Sequence, residues 1–198
     1  ATTADARAFL YPTFQQISSP NSMVGMLEAV ARIEHARNAG ERILIYGDYD
    51  VDGIAGTSIL FRALQRFGCI DVSWDLPQRH VEGFGLQAER VYAARDAGVK
   101  LIITVDNGAS AWEAGEAART CGIDLIVTDH HQLGDAPCRA TVMVNPVLDG
   151  PDHPGAWACG AVVAFKLGWA LNDEPHDIDL AALGAIADVV PLTGENRA

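Results

Sequence analysis

Hydrophobic positions along this chain take two alternating forms. Short apolar runs lie at residues 42–46, 100–105, 123–128 and 141–144, with a strand-like stretch at 70–74. Between them the apolar residues recur every three or four positions, as at Met23, Met26, Leu27, Val30, Ala31 and Ile33. The first form predicts strands and the second helices. Helices are expected over 23–38, 53–67, 86–97, 109–120, 159–171 and 180–187. Gly40, Gly68, Gly98 and Gly122 stand where four of these helices should stop. Residues 1–21, with Pro12 and a Ser18-Ser19-Pro20 turn, are expected to be irregular.

Most of the strands are continuous apolar runs rather than alternating ones, which is the pattern of a parallel sheet covered on both faces. Strands alternating with helices then predict an α/β fold: a doubly wound, mostly parallel sheet with helices on both faces. Three polar segments lie just past the carboxyl ends of predicted strands. They are Gly47-Asp48-Tyr49-Asp50-Val51-Asp52-Gly53, Asp106-Asn107-Gly108 and Asp129-His130-His131. Open α/β sheets place their sites at such ends, and the common strand order 2-1-3-4-5 would bring all three segments to one crevice.

Crowded carboxylates stay ionised together only when cations compensate them. Asp50 and Asp52, joined by Asp106 and His130, make an oxygen-rich set with an imidazole. That set suits Mn²⁺ or Mg²⁺, with Mn²⁺ preferred. A pair of such ions supports hydrolysis of phosphate esters. A calcium loop is a poorer match: Asp48-x-Asp50-x-Asp52-Gly53 opens like an EF-hand, but Ile59 stands where a bidentate Glu is needed. Asp50 or Asp52 could also simply cap the next helix. Asn107 and Gly108 are candidate phosphate binders, through backbone N–H groups at the start of the 109–120 helix. Arg79 is a candidate for a bidentate contact to substrate phosphate.

Composition adjusts this picture in three places. The formal net charge is −12, which argues against a broad grip on nucleic acid. Two divalent ions would bring the balance only to about −8, so a basic groove is expected from a partner domain. The four cysteines form no C-x-x-C pair and are expected to be reduced, mostly buried thiols in a cytoplasmic protein. The most apolar stretch, 155–171, is short and contains Lys166, so a buried helix is expected there and no membrane span.

Six ordered motifs carry a family resemblance. They are Gly47-Asp48-Tyr49-Asp50-Val51-Asp52-Gly53, Val105-Asp106-Asn107-Gly108, Val127-Thr128-Asp129-His130-His131, Val144-Asn145-Pro146, Cys159-Gly160-Ala161 running on to Lys166-Leu167, and Leu183-Gly184-Ala185-Ile186-Ala187-Asp188 with its following Val189-Val190-Pro191-Leu192. In these the chain resembles the DHH phosphoesterases, and among them the bacterial exonucleases that degrade single-stranded DNA from the five-prime end. The resemblance implies a two-metal centre. Asp50 and Asp106 would hold one ion; Asp52, Asp106, His130 and Asp188 would hold the other. His131 would touch the scissile phosphate or help the leaving group, and Asp129 would orient the imidazoles. Many relatives carry a histidine four residues before the first metal-binding Asp. Tyr46 stands there in this chain, so the first metal position is expected to be the weaker.

The resemblance also implies an organisation. Residues 1–40 would be an N-terminal extension with a leading helix, and 41–198 the DHH catalytic domain. A DHHA1-like substrate-binding domain and an OB-fold, with single-stranded DNA between the domains, are expected of a parent chain but are not in this sequence. The fragment alone is therefore expected to be a weak exonuclease. Within the same family, oligonucleotides, cyclic dinucleotides or pyrophosphate are alternative substrates, and a non-catalytic scaffold is a further alternative.

Overall fold

The computed structural model describes residues 2–77 and 85–198. Among these, five strands form one sheet: β1 (Ile43–Tyr46), β2 (Val72–Asp75), β3 (Leu101–Val105), β4 (Asp124–Thr128) and β5 (Val142–Val144). Their order is β2-β1-β3-β4-β5 and every neighbouring pair is parallel, as the apolar runs predict. The helices are α1 (Thr3–Leu10), α2 (Met26–Ala39), α3 (Val51–Phe67), α4 (Ala88–Asp96), α5 (Trp112–Cys121), α6 (Gly160–Asn172) and α7 (Ile178–Ala187).

Alternation along each strand divides the core in two. Ile43, Ile45, Leu101, Ile103, Val105 and Ile126 join the layer that contains α2, α3 and α6. Ile102, Leu125, Val127 and Tyr46 join the opposite layer, with α4 and α5. Both faces of the sheet are thus covered, which is why the strands read as unbroken apolar runs. Cys69, Cys138 and Cys159 are buried and Cys121 is half-buried; all four are free thiols. No helix among the described residues is long and apolar enough to cross a membrane.

The N-terminal segment departs from expectation. Residues 3–10 are helical, and short 3-10 turns follow at Phe14–Gln16 and Pro20–Ser22. Two turns of helix are too few for a periodic signal, and this one is tied down from far along the chain. Arg197 Nε donates to the Phe9 carbonyl at 3.2 Å, and its guanidinium lies over the Phe9 ring. Helix α2 starts at Met26 rather than residue 23, because Gly25 takes a left-handed φ of +79°. A β-carbon at Gly25 would also collide with the Met143 carbonyl of β5. Only glycine accepts both conditions.

Candidate metal centre

Three sheet ends and one helix end build the site. Asp50 is the N-cap of α3, and its Oδ1 accepts from Gly53 N at 2.9 Å. The capping alternative is therefore met by a residue that also faces the site. Asp52, one residue into the helix, is buried. Its Oδ2 accepts from Gly160 N at 2.7 Å and its Oδ1 from Ala161 N at 2.9 Å. A carboxylate at the N-terminus of α6 is electrostatically favoured. It also locks α6 to α3.

Asp106 ends β3 in a left-handed conformation, φ +62°. For a non-glycine residue that costs about 1–3 kcal/mol, and such strain persists only where the surroundings enforce it. Here the Asp106 N–H bonds Thr128 O at 3.0 Å, and the side chain fits closely against Gly160, where a β-carbon would fall 2.5 Å from Asp106 Cβ. Val189, directly after Asp188, is also left-handed at φ +58°. Strained backbone thus lies at one ligand candidate and directly beside another.

Geometry groups the predicted residues. One carboxylate oxygen each from Asp52 and Asp188 and a ring nitrogen of His130 lie within 4.8 Å of one another. Asp48, Asp50 and Asp106 form a second group by the same measure. His130 Nε2 is 3.1 Å from Asp106 Oδ1, 3.8 Å from Asp188 and 3.9 Å from Asp52. The His130–Asp106 pair is close but not aligned as a hydrogen bond, so Asp106 Oδ1 is buried with no donor. A buried carboxylate oxygen with no hydrogen-bond partner, on a residue that groups both with Asp48 and Asp50 and with His130 and His131, fits a divalent cation.

The electrostatics agree. Burial, reinforced by the facing Asp52 and Asp50, pushes Asp106 up to about 7 against the opposing effect of His130. Asp188 is raised by burial and by Asp52 and Asp50. Burial and then Asp50 also raise Asp48, whose Oδ1 accepts from Tyr49 N. Burial alone would lower His130, but Asp106 beside it outweighs that and raises it. Without cations these carboxylates resist ionising together.

Asp129 plays a different part. Its Oδ1 lies 2.7 Å from His131 Nδ1 and accepts from the N–H groups of His130 and His131; its Oδ2 accepts from Ala109 N. Burial would raise its pKa, yet His131 and these N–H donors hold it below the ordinary range. In return Asp129 pushes His131 up to about 9, first through the side-chain hydrogen bond and then through its charge. His131 is mostly exposed at the mouth of the site.

Some placements differ from the sequence reading. Helix α5 starts at Trp112, not at residue 109: the Ala109 carbonyl, which a helix starting there would give to the N–H of residue 113, accepts from Cys138 N at 2.8 Å instead. Asn107 and Gly108 therefore do not sit at a helix start. The Asn107 amide ties backbone instead: Nδ2 donates to Tyr46 O and Val105 O, and Oδ1 accepts from Leu86 N. Both residues still line the cavity beside the centre. Arg79 lies outside the described residues. Tyr46 is buried in the α4–α5 layer, and Asp48 adds a third carboxylate to the first group. The sequence reading gave Asp48 no role, although its place in the Asp-x-Asp-x-Asp run was a signal. It gave none to Asn145 either. That residue is fully buried, and its Nδ2 holds the His131 carbonyl at 2.9 Å.

The motif glycines are spacers against the site. A β-carbon at Gly184 would fall on Ala161 Cβ and Asp52 Oδ1, well inside van der Waals contact. Gly184→Ala is expected to cost about 1–3 kcal/mol by overpacking. Thermal unfolding should then shift down by roughly 2–12 °C. Mn²⁺ titration should show weaker binding at the Asp52 position. An unchanged melting temperature with unchanged Mn²⁺ affinity would remove the spacer role.

Comparison with known proteins follows this geometry. Residues 42–188 match the family model described as DHH family, N-terminal domain. The chain is 40% identical over 198 residues to the single-stranded-DNA-specific exonuclease RecJ of Bacillus subtilis, covering 99% of this chain and 25% of that protein. It is 43% identical over 182 residues to RecJ of Thermus thermophilus, covering 88% of this chain and 26% of that one. A crystal structure of exonuclease RecJ bound to manganese superposes with a TM-score of 0.81 at 41% identity, covering 88% of this chain and 46% of the other. The chain spans about a quarter of the length of these two curated relatives.

Proposed function

Because this chain belongs to the DHH family, we propose that it is the catalytic domain of a metal-dependent exonuclease that hydrolyses single-stranded DNA from the five-prime end. The observation that carries the reading is the buried Asp106 carboxylate, whose Oδ1 has no hydrogen-bond partner and which belongs to two candidate ligand groups. Asp48, Asp50 and Asp106 would hold one divalent ion. Asp52, Asp106, His130 and Asp188 would hold the other. Mn²⁺ suits this oxygen-rich set with one imidazole. Two ions there supply activation of water and charge stabilisation at the leaving oxygen.

The remaining work falls to the chain itself. Asp129 fixes the His131 ring by its Nδ1 and leaves Nε2 facing out. In its protonated form His131, at the mouth, is suited to bind a phosphate oxygen and to give a proton to the departing oxygen. Asn145 and the Asp129 backbone contacts keep the His130-His131 segment in place. Asp52 couples α3 to α6, so one of its jobs is rigidity and the other is ligation.

The test is nucleotide release by this chain from single strands labelled at either end, in Mn²⁺ and in chelator. Mononucleotides should leave the five-prime-labelled end, only with metal. Turnover of dinucleotides, cyclic dinucleotides or pyrophosphate but not of strands would transfer the site to another DHH substrate. Tight Mn²⁺ binding with no turnover of any of these, by this chain and by a longer chain carrying the further substrate-binding domains, would make the domain a scaffold.

A further inference from the structure

The metal-centre residues line part of a cavity of about 550 Å³, within the range of small-molecule sites. Asp48, Asp106, Asp129 and His131 are among its walls. Leu86, Ala88, Ala111 and Trp112 line the same cavity and bring different chemistry. Trp112 is the first residue of α5 and 43% exposed, whereas Ala114, two residues on, is buried. Glu113 and Gln87 line the cavity too. Glu113 repels phosphate, so an anionic group belongs beside the metal centre. A ligand matching the whole cavity is anionic at one end and flat and apolar at the other, with a polar edge. A nucleotide has that form.

We propose that Trp112 is the stacking wall for the nucleobase of the terminal nucleotide, the one released, while the phosphate on its 3′ side, the one that is cleaved, lies toward Asp106 and His131. This rests on the phosphodiesterase reading of the metal centre. Stacking on an indole tolerates every base, because each has a π face. It also favours purines over pyrimidines, and both over an abasic sugar. Trp74 is exposed as well, but the groove beside it is lined by none of the metal-centre residues. That makes Trp74 a control.

The experiment is calorimetric binding, in Mn²⁺, of deoxyadenosine 3′-monophosphate and of 1,2-dideoxyribose 3-phosphate to this chain. The wild type should prefer the nucleotide by roughly tenfold, a typical gain for one stacked base. Trp112→Ala should bind both alike, Trp112→Phe should keep the preference, and Trp74→Ala should leave it unchanged. Trp112→Leu, which keeps apolar bulk without a ring, should lose it as alanine does. Equal melting temperatures of the variants would show that folding is intact. A wild type without preference, or a Trp112→Ala protein that retains it, overturns the stacking wall. A chain that hydrolyses no phosphodiester in Mn²⁺ overturns the proposed function instead, and the binding result is read separately from it.

Discussion

Asp106→Asn should abolish Mn²⁺-dependent hydrolysis, with a loss beyond about a hundredfold. Residues that only orient metal ligands typically cost about 10–100-fold when changed. Asp106 is common to both proposed ligand sets, so its loss should exceed that range. The substitution is chosen for fidelity. Asparagine has nearly the same volume and tolerates a left-handed φ such as the +62° found here. It removes the charge that binds a cation. It also relieves the facing carboxylates Asp52 and Asp50, so the metal-free protein should be as stable as the wild type or more so. Mn²⁺ binding by calorimetry and turnover of labelled single strands read the two consequences. Two ions bound at wild-type affinity, with activity within tenfold, would refute the bridging role.

The second large effect lies away from the centre. Lys166 is fully buried on α6, and its Nζ lies 2.7 Å from Glu195 Oε1 and 2.8 Å from Ser18 Oγ. Glu195 Oε2 in turn accepts from Ser18 N at 2.8 Å and Ser18 Oγ at 2.9 Å. The group joins the N-terminal segment, α6 and the C-terminal turn. Removing one partner of a buried pair strands a charge in a poor solvent and costs about 3–5 kcal/mol. Glu195→Ala should therefore lower the melting temperature by roughly 6–20 °C. Replacing both partners by apolar residues, as in Lys166→Met with Glu195→Leu, should recover most of that loss. Urea unfolding of the single and double variants measures the difference. A single variant within about 1 kcal/mol of wild type would show that the lysine finds water or another partner.

This ion pair illustrates what sequence patterns miss. Lys166 argued that the 155–171 stretch was not a membrane span, and it lies on a buried helix. Nothing near it in sequence named Glu195 or Ser18, because the contacts span 29 and 148 positions. Asp188 was similar. Residue spacing reads it as an ordinary acid at a helix end, and only the family motif marked it. It lies near His130 because α7 packs on α3 and α6, with Gly184 permitting the approach. Asp48 was in plain view, but a run of three acids does not tell which of them face inward.

The sequence alone determined the fold class and placed Asp50, Asp52, Asp106 and His130 just past strand ends; their meeting followed only if the strands took the common order 2-1-3-4-5, which the structure shows. Those conclusions rest on local rules: apolar periodicity sets each element, and a parallel sheet aligns the carboxyl ends of its strands. Tertiary structure decided the rest. It added Asp48 and Asn145, gave the Asn107 amide a backbone-tying role, and moved the start of α5 to Trp112. It also joined the chain's two ends through Glu195. Each of these depends on which buried N–H finds which oxygen, and that pairing is settled by packing in three dimensions rather than by order along the chain.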